Sequence, residues 1–90
     1  MASAFLETNP SSAEILFDRG LCNLLLKHYS NALSDLRATA MMTSDPERFV
    51  FAGWAAKRAG DESAAIHLWK IALTLRQAYL PAVAALRKTQ

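Results

Sequence analysis

Apolar residues recur along this chain at spacings of three and four, and that period cuts it into helices. Ile15, Leu16, Gly20, Cys22 and Leu26 fall on adjoining faces of a first helix that runs to about Leu26, with apolar residues over much of its girth. Such a helix is expected to be contacted from two sides. Pro10 suits its first turn, and Ser11 with Glu14 has capping-box spacing. Lys27-His28-Tyr29-Ser30 reads as a turn with Ser30 as N-cap, and Ala32, Leu33, Leu36 and Ala40 continue as a second helix to about Met42. Pro46, capped by Asp45 or Ser44, opens a third helix filled by Phe49, Phe51, Ala52, Gly53, Ala55, Ala56 and Ala59. Gly60 and Asp61 end it and cap a fourth, from about Glu62 to Gln77, which sets Ala65, Leu68, Trp69, Ala72 and Leu75 on one face. Tyr79-Leu80-Pro81 interrupts again, and a short fifth helix starts at Pro81. No useful length alternates with period two, so the chain reads as all-α.

The helices repeat. Gly20 and Gly53 stand 33 positions apart; each is followed at the same offsets by an alanine, Ala32 and Ala65, and then by a bulky residue, Leu36 and Trp69. A period of about 33–34 is that of a two-helix solenoid unit. The glycines are expected to let two helices approach, with Ala32 and Ala65 as small counterparts and Leu36 and Trp69 plugging the gap between successive hairpins. The predicted organisation is an N-terminal segment, 1–9, disordered or packed on the first helix; a helical domain, 10–90; repeats at about 13–45 and 46–78; and a capping helix, 81–89. Two units and a cap fall short of the roughly three repeats such arrays need alone, which suggests a partner or a second copy.

Composition adds to that suggestion. Apolar residues make up 52% of 90 residues, more than one small core consumes. The net charge is +2, and the basic residues never run longer than two, so no electrostatic track for nucleic acid follows. Arg87-Lys88 reads as a cationic helix end complementing the macrodipole. The single Cys22, in a leucine-rich run, reads as a small buried hydrophobe in a reducing compartment, and the cytoplasm fits best. Neither an export signal nor a stretch of the ~18 apolar residues that span a bilayer is read from the sequence. Cys22, His28 and His67 are isolated from one another; His28 is expected to close a turn and His67 to lie on the exposed side of the fourth helix. The glycines are dispersed, so no phosphate cradle forms. The expectation is no enzymatic activity, no cofactor and no metal.

These residues resemble the tetratricopeptide repeat family: Leu16, Gly20, Ala32 and Leu36 in the first unit, and Phe49, Gly53, Gly60, Asp61, Ala65, Trp69 and Ala72 in the second. The resemblance covers residues 13–78. The first unit departs from it with Thr39 where a small apolar residue is usual, with His28 in place of the turn glycine, and with a late closing Pro46. The resemblance implies that the first helix of each hairpin lines a concave groove, here through Phe17, Leu21 and Leu24 and then Val50, Trp54 and Lys57. A clamp of Lys, Arg and Asn that grips a terminal carboxylate is absent from the first unit. The groove is instead expected to take a hydrophobic or amphipathic segment, with Phe17, Leu21, Val50 and Trp54 as anchors and Lys57 or Arg58 on the rim. Trp54 is expected on the groove and Trp69 in the core.

A narrower resemblance joins Asp45-Pro46-Glu47-Arg48-Phe49-Val50-Phe51-Ala52, Gly60-Asp61 and Ala64-Ala65 to the small cytoplasmic chaperones of bacterial type III secretion, which keep translocator or needle subunits soluble. It implies a protein partner in an obligate heterocomplex, a client or a second co-chaperone. A permanent structural adaptor is the alternative reading. A homodimer and cover by the N-terminal segment through Phe5 and Leu6 stay open as occupants of the groove.

Overall fold

A computed structural model describes residues 12–89 of the protein. Five helices follow one another there: α1 (Ser12–Leu25), α2 (Tyr29–Thr43), α3 (Pro46–Arg58), α4 (Glu62–Leu75) and α5 (Leu80–Thr89), with no strand among the described residues. The N-terminal segment 1–9, Pro10 and Ser11, and with them the capping box anchored by Ser11, lie outside the described residues.

The turns explain the element boundaries. After α1, the Lys27 N–H donates to the Leu24 carbonyl at 3.1 Å and the His28 N–H to Asn23 at 2.8 Å. After α3, the Gly60 N–H donates to Lys57 at 3.0 Å and the Asp61 N–H to Ala56 at 2.9 Å. Both are Schellman closures, displaced by the same 33 positions as the glycines. Lys27 takes φ 66 where Gly60 takes φ 92, so the counterpart of the turn glycine is Lys27 and not the expected His28. His28 rather than Ser30 is the N-cap residue of α2, without a side-chain bond, because the closure ends at His28 and leaves Tyr29 as the first helical residue.

The acidic caps form as the sequence implies. Asp45 accepts from the Glu47 N–H at 3.0 Å with Pro46 in the first turn of α3, and Asp61 accepts from the Ala64 N–H at 3.1 Å. Each satisfies an orphan donor of a helix start. α4 stops at Leu75, two residues before the expected Gln77, where Arg76 leaves helical geometry. In the turn that follows, the Arg76 guanidinium lies 5.6 Å from the centre of the Tyr79 ring. Burial pushes the Tyr79 phenol above its ordinary value, Glu47 and Asp45 at the start of α3 add to the rise, and Arg76 opposes it.

α3 is the centre of the molecule. It packs on α2 and α4 along most of its length and touches α5, and it buries Phe49, Val50, Ala52, Gly53, Ala55 and Ala56. Ala32, Leu36 and Ala40 of α2, Ala65, Leu68, Trp69 and Ala72 of α4, and Ala82 and Ala85 of α5 complete the core. The glycines explain how the helices come so close. A Cβ on Gly20 would sit 2.7 Å from Leu36 Cγ, and one on Gly53 would sit 2.5 Å from Trp69 Cδ1. Leu36 and Trp69 therefore close over the glycine of their own helix pair. Ala32 and Ala65 are fully buried, but the atoms directly over the glycines belong to the bulky residues. Trp69 also donates its indole N–H to the Val50 carbonyl at 3.2 Å, so its polar edge is satisfied inside the core.

Two polar clusters fasten α1. Asp35, buried on α2, accepts from Arg19 Nε at 3.0 Å, Arg19 Nη2 at 2.9 Å and Asn23 Nδ2 at 3.1 Å. The hydrogen bond and the charge of Asp35 hold the Arg19 guanidinium above its already high ordinary value. In the second cluster the buried Thr39 hydroxyl donates to the Ala13 carbonyl at 2.7 Å and accepts from Arg48 Nη1 at 2.8 Å, while Arg48 Nη2 reaches Glu14 at 2.7 Å. Thr39, anomalous in sequence, is thus the hydroxyl through which α1, α2 and α3 are tied.

The remaining surface of α1 departs from expectation. Among its described residues only Ala13 and Gly20 are buried, and Ile15 and Leu25 are exposed, Leu25 by 83%. Contact comes mainly from α2, because the close approach at Gly20 fixes one face and turns the next away. Cys22 lies on that outer face and is exposed, which corrects its reading as a buried hydrophobe.

Candidate functional site

α3 presents Phe51, Trp54 and Arg58 at i, i+3 and i+7, one face of a helix. That face, with Leu24 from the last turn of α1, Tyr29 from the first turn of α2 and Lys88 from α5, lines a cleft of about 400 Å³. The floor is aromatic and fixed. Trp54 stands edge-on to the buried Trp69 with ring centres 4.9 Å apart and planes at 63°, and such pairs contribute about 0.5–1.5 kcal/mol beyond area burial. Phe51 meets Phe17 edge-on at 5.8 Å, and the Arg48 guanidinium covers the Phe17 ring at 4.4 Å. Lys57 extends over the Trp54 ring, its ammonium 5.8 Å from the centre.

Of the residues expected on a groove or its rim, Leu24, Trp54 and Arg58 line this cleft. Phe17 and Leu21 are partly buried against the core and stay out of the lining. Lys57 reaches the site only through its contact with Trp54. Val50 is 7% exposed and its carbonyl accepts from Trp69, so it belongs to the core and offers no anchor. The sequence reading left out Tyr29, Phe51 and Lys88. Phe51 carried a usable signal, since counting three and seven onward from it gives Trp54 and Arg58. Tyr29 and Lys88 carried none, because each is brought in by a turn geometry that spacing alone does not fix.

A second cleft of about 470 Å³ opens between α2 and α4, lined among others by Arg37, Met41, His67 and Ile71. His67 is exposed there, on the side expected from the sequence. It is the more apolar opening, but it lacks an aromatic floor of the kind Phe51 and Trp54 make; Phe49 alone reaches it from α3.

Among the described residues the polar groups that line the first cleft are those of Arg58, Lys88, Tyr29 and the Trp54 indole, with no carboxylate or imidazole. Among the described residues no three His, Cys, Asp or Glu side chains converge as a metal-binding group, and no helix is long and apolar enough to cross a membrane. Comparison with family models, with curated proteins and with solved structures gives no match.

Proposed function

We propose that the chain is a tetratricopeptide-like protein-binding module, a small chaperone or co-chaperone that holds a hydrophobic or amphipathic segment of a client across α1, α3 and α5. The observation that carries this reading is the cleft in which Trp54 and Phe51 form a rigid aromatic floor open to solvent. Aromatic side chains in such positions supply much contact area at small entropic cost, and a few of them dominate binding at most protein interfaces. The 33-position echo of closures and glycine contacts supports the repeat assignment. Large exposed apolar side chains, Leu25 at 83% and Leu80 at 75%, support an obligate complex over a free monomer. The client class to which the sequence resemblance points is a needle or translocator subunit of type III secretion, held in the cytoplasm.

The test is a paired co-purification from the native cell with the wild-type chain and with Trp54→Ala. The reading expects one stoichiometric protein that is lost with Trp54→Ala while the thermal midpoint stays within about 5 °C, since Trp54 lies outside the fully buried core. Retention of that protein by a folded Trp54→Ala variant sinks the reading. A client that is insoluble without this chain and leaves it in the finished assembly marks a chaperone, and one that stays marks a structural adaptor.

A further inference from the structure

The cations around the first cleft are not distributed as helix ends alone would place them. Positive side chains in a last turn complement the helix dipole wherever they stand. Here α1, α2 and α4 have none in their last turns, whereas α3 carries Lys57 and Arg58 and α5 carries Arg87 and Lys88. These two helices are the ones whose final turns deliver charge to the cleft, Arg58 and Lys88 in its lining and Lys57 over Trp54. Among the described residues none of the three has a carboxylate within 4.0 Å, while Arg19 and Arg48 are both paired. Among the described residues the lining contains no acid. An aromatic floor accompanied by cations that have no carboxylate partner among the described residues is complementary to a ligand that joins an apolar side chain to anionic groups.

We propose that this cleft takes an acidic peptide segment of a partner protein, a bulky apolar side chain seated against Phe51 and Trp54 and flanked by Asp or Glu that meet Arg58 and Lys88. The inference rests on the binding role proposed above and adds the partner's charge. It is distinct from capture of a chain terminus, because the cations come from two helices and share the lining with the apolar surface of Phe51 and Trp54, which seats the anchor.

The test compares two short peptides that share a Leu and Phe centre and differ only in Glu or Lys at the flanking positions, both acetylated and amidated so that no terminal charge contributes. Each is titrated into the full-length protein by fluorescence anisotropy at low and at moderate salt. The Glu peptide binds more tightly by roughly tenfold at low salt, the gap narrows as salt rises, and Arg58→Glu/Lys88→Glu removes or inverts it. Equal affinities that fall together with Trp54→Ala overturn the acidic partner and leave the apolar groove standing. If neither peptide binds, both the acidic partner and the groove fail. A dimer by sedimentation that Trp54→Ala dissociates makes a second copy the occupant and overturns the proposal.

Discussion

The two helix pairs, α1 with α2 and α3 with α4, solve one packing problem with opposite chemistry. In both, a glycine on the first helix meets a bulky residue sixteen positions later, Leu36 over Gly20 and Trp69 over Gly53, and in both a Schellman closure stands at the same place. The fillings differ. Around its contact the first pair has Arg19, Asn23 and Asp35 in a hydrogen-bonded cluster; the second has Ala52, Ala56 and Leu68 at the corresponding positions, all buried. The first pair can use charge because Arg19 stays 62% exposed and keeps most of its hydration, whereas α3 is covered from several sides and has no such outlet. Repetition thus fixes where two backbones approach, and exposure decides which side chains surround the approach.

The two pairs are expected to differ most at their glycines. Gly53→Ala forces a Cβ against the hydrogen-bonded indole of Trp69, while Gly20→Ala meets Cγ and Cδ2 of Leu36, a smaller side chain at slightly longer range with no hydrogen bond to lose. Overpacking of this kind costs roughly 1–3 kcal/mol or more, so Gly53→Ala is expected at or above the upper end and Gly20→Ala near the lower. Urea denaturation of the two variants checks the order, and a reversed order removes the case for Trp69 as the costlier partner to displace. A smaller effect is expected at the closures. Lys27→Gly gives the first pair the residue that the second already has, and relief of a left-handed lysine should raise stability by about 0.5–1 kcal/mol. The same denaturation series reads it, and no gain means the φ of 66 at Lys27 costs nothing.

The smallest change is expected from exchanging the fillings. Arg19→Ala/Asn23→Ala/Asp35→Leu writes the second pair's residues into the first, and because it removes a polar cluster whole it leaves no buried partner stranded. The thermal midpoint is expected to move by no more than about 5 °C. A collapse of the midpoint would show that the polar cluster, and not the glycine contact, holds α1 in place.

Much of this was legible in the sequence, for reasons that can be named. Pro46, Asp45, Gly60 and Asp61 act within one turn of themselves, so the starts of α3 and α4 follow from local chemistry. The Gly20 to Gly53 echo located the close approaches because only glycine permits them. The left-handed turn at Lys27 was not legible, because lysine gives no sign of the conformation that the closure on Asn23 and Leu24 requires. Nor was the exposure of Cys22, since a leucine-rich run at a helix end reads as core whether or not a neighbour arrives to cover it. On α3 a one-residue error in helical phase separated Val50, which is core, from Phe51, which is cleft.

The most direct test of a binding face on α1, α3 and α5 is hydrogen exchange on the complex with the co-purified partner. Slowed exchange is expected in the peptides containing Leu24 to Tyr29, Phe51 to Arg58 and the last turn of α5, with α2 and α4 unchanged around Arg37, Met41, His67 and Ile71. Slowed exchange confined to that second cleft, with Trp54 and its neighbours unaffected, would contradict it.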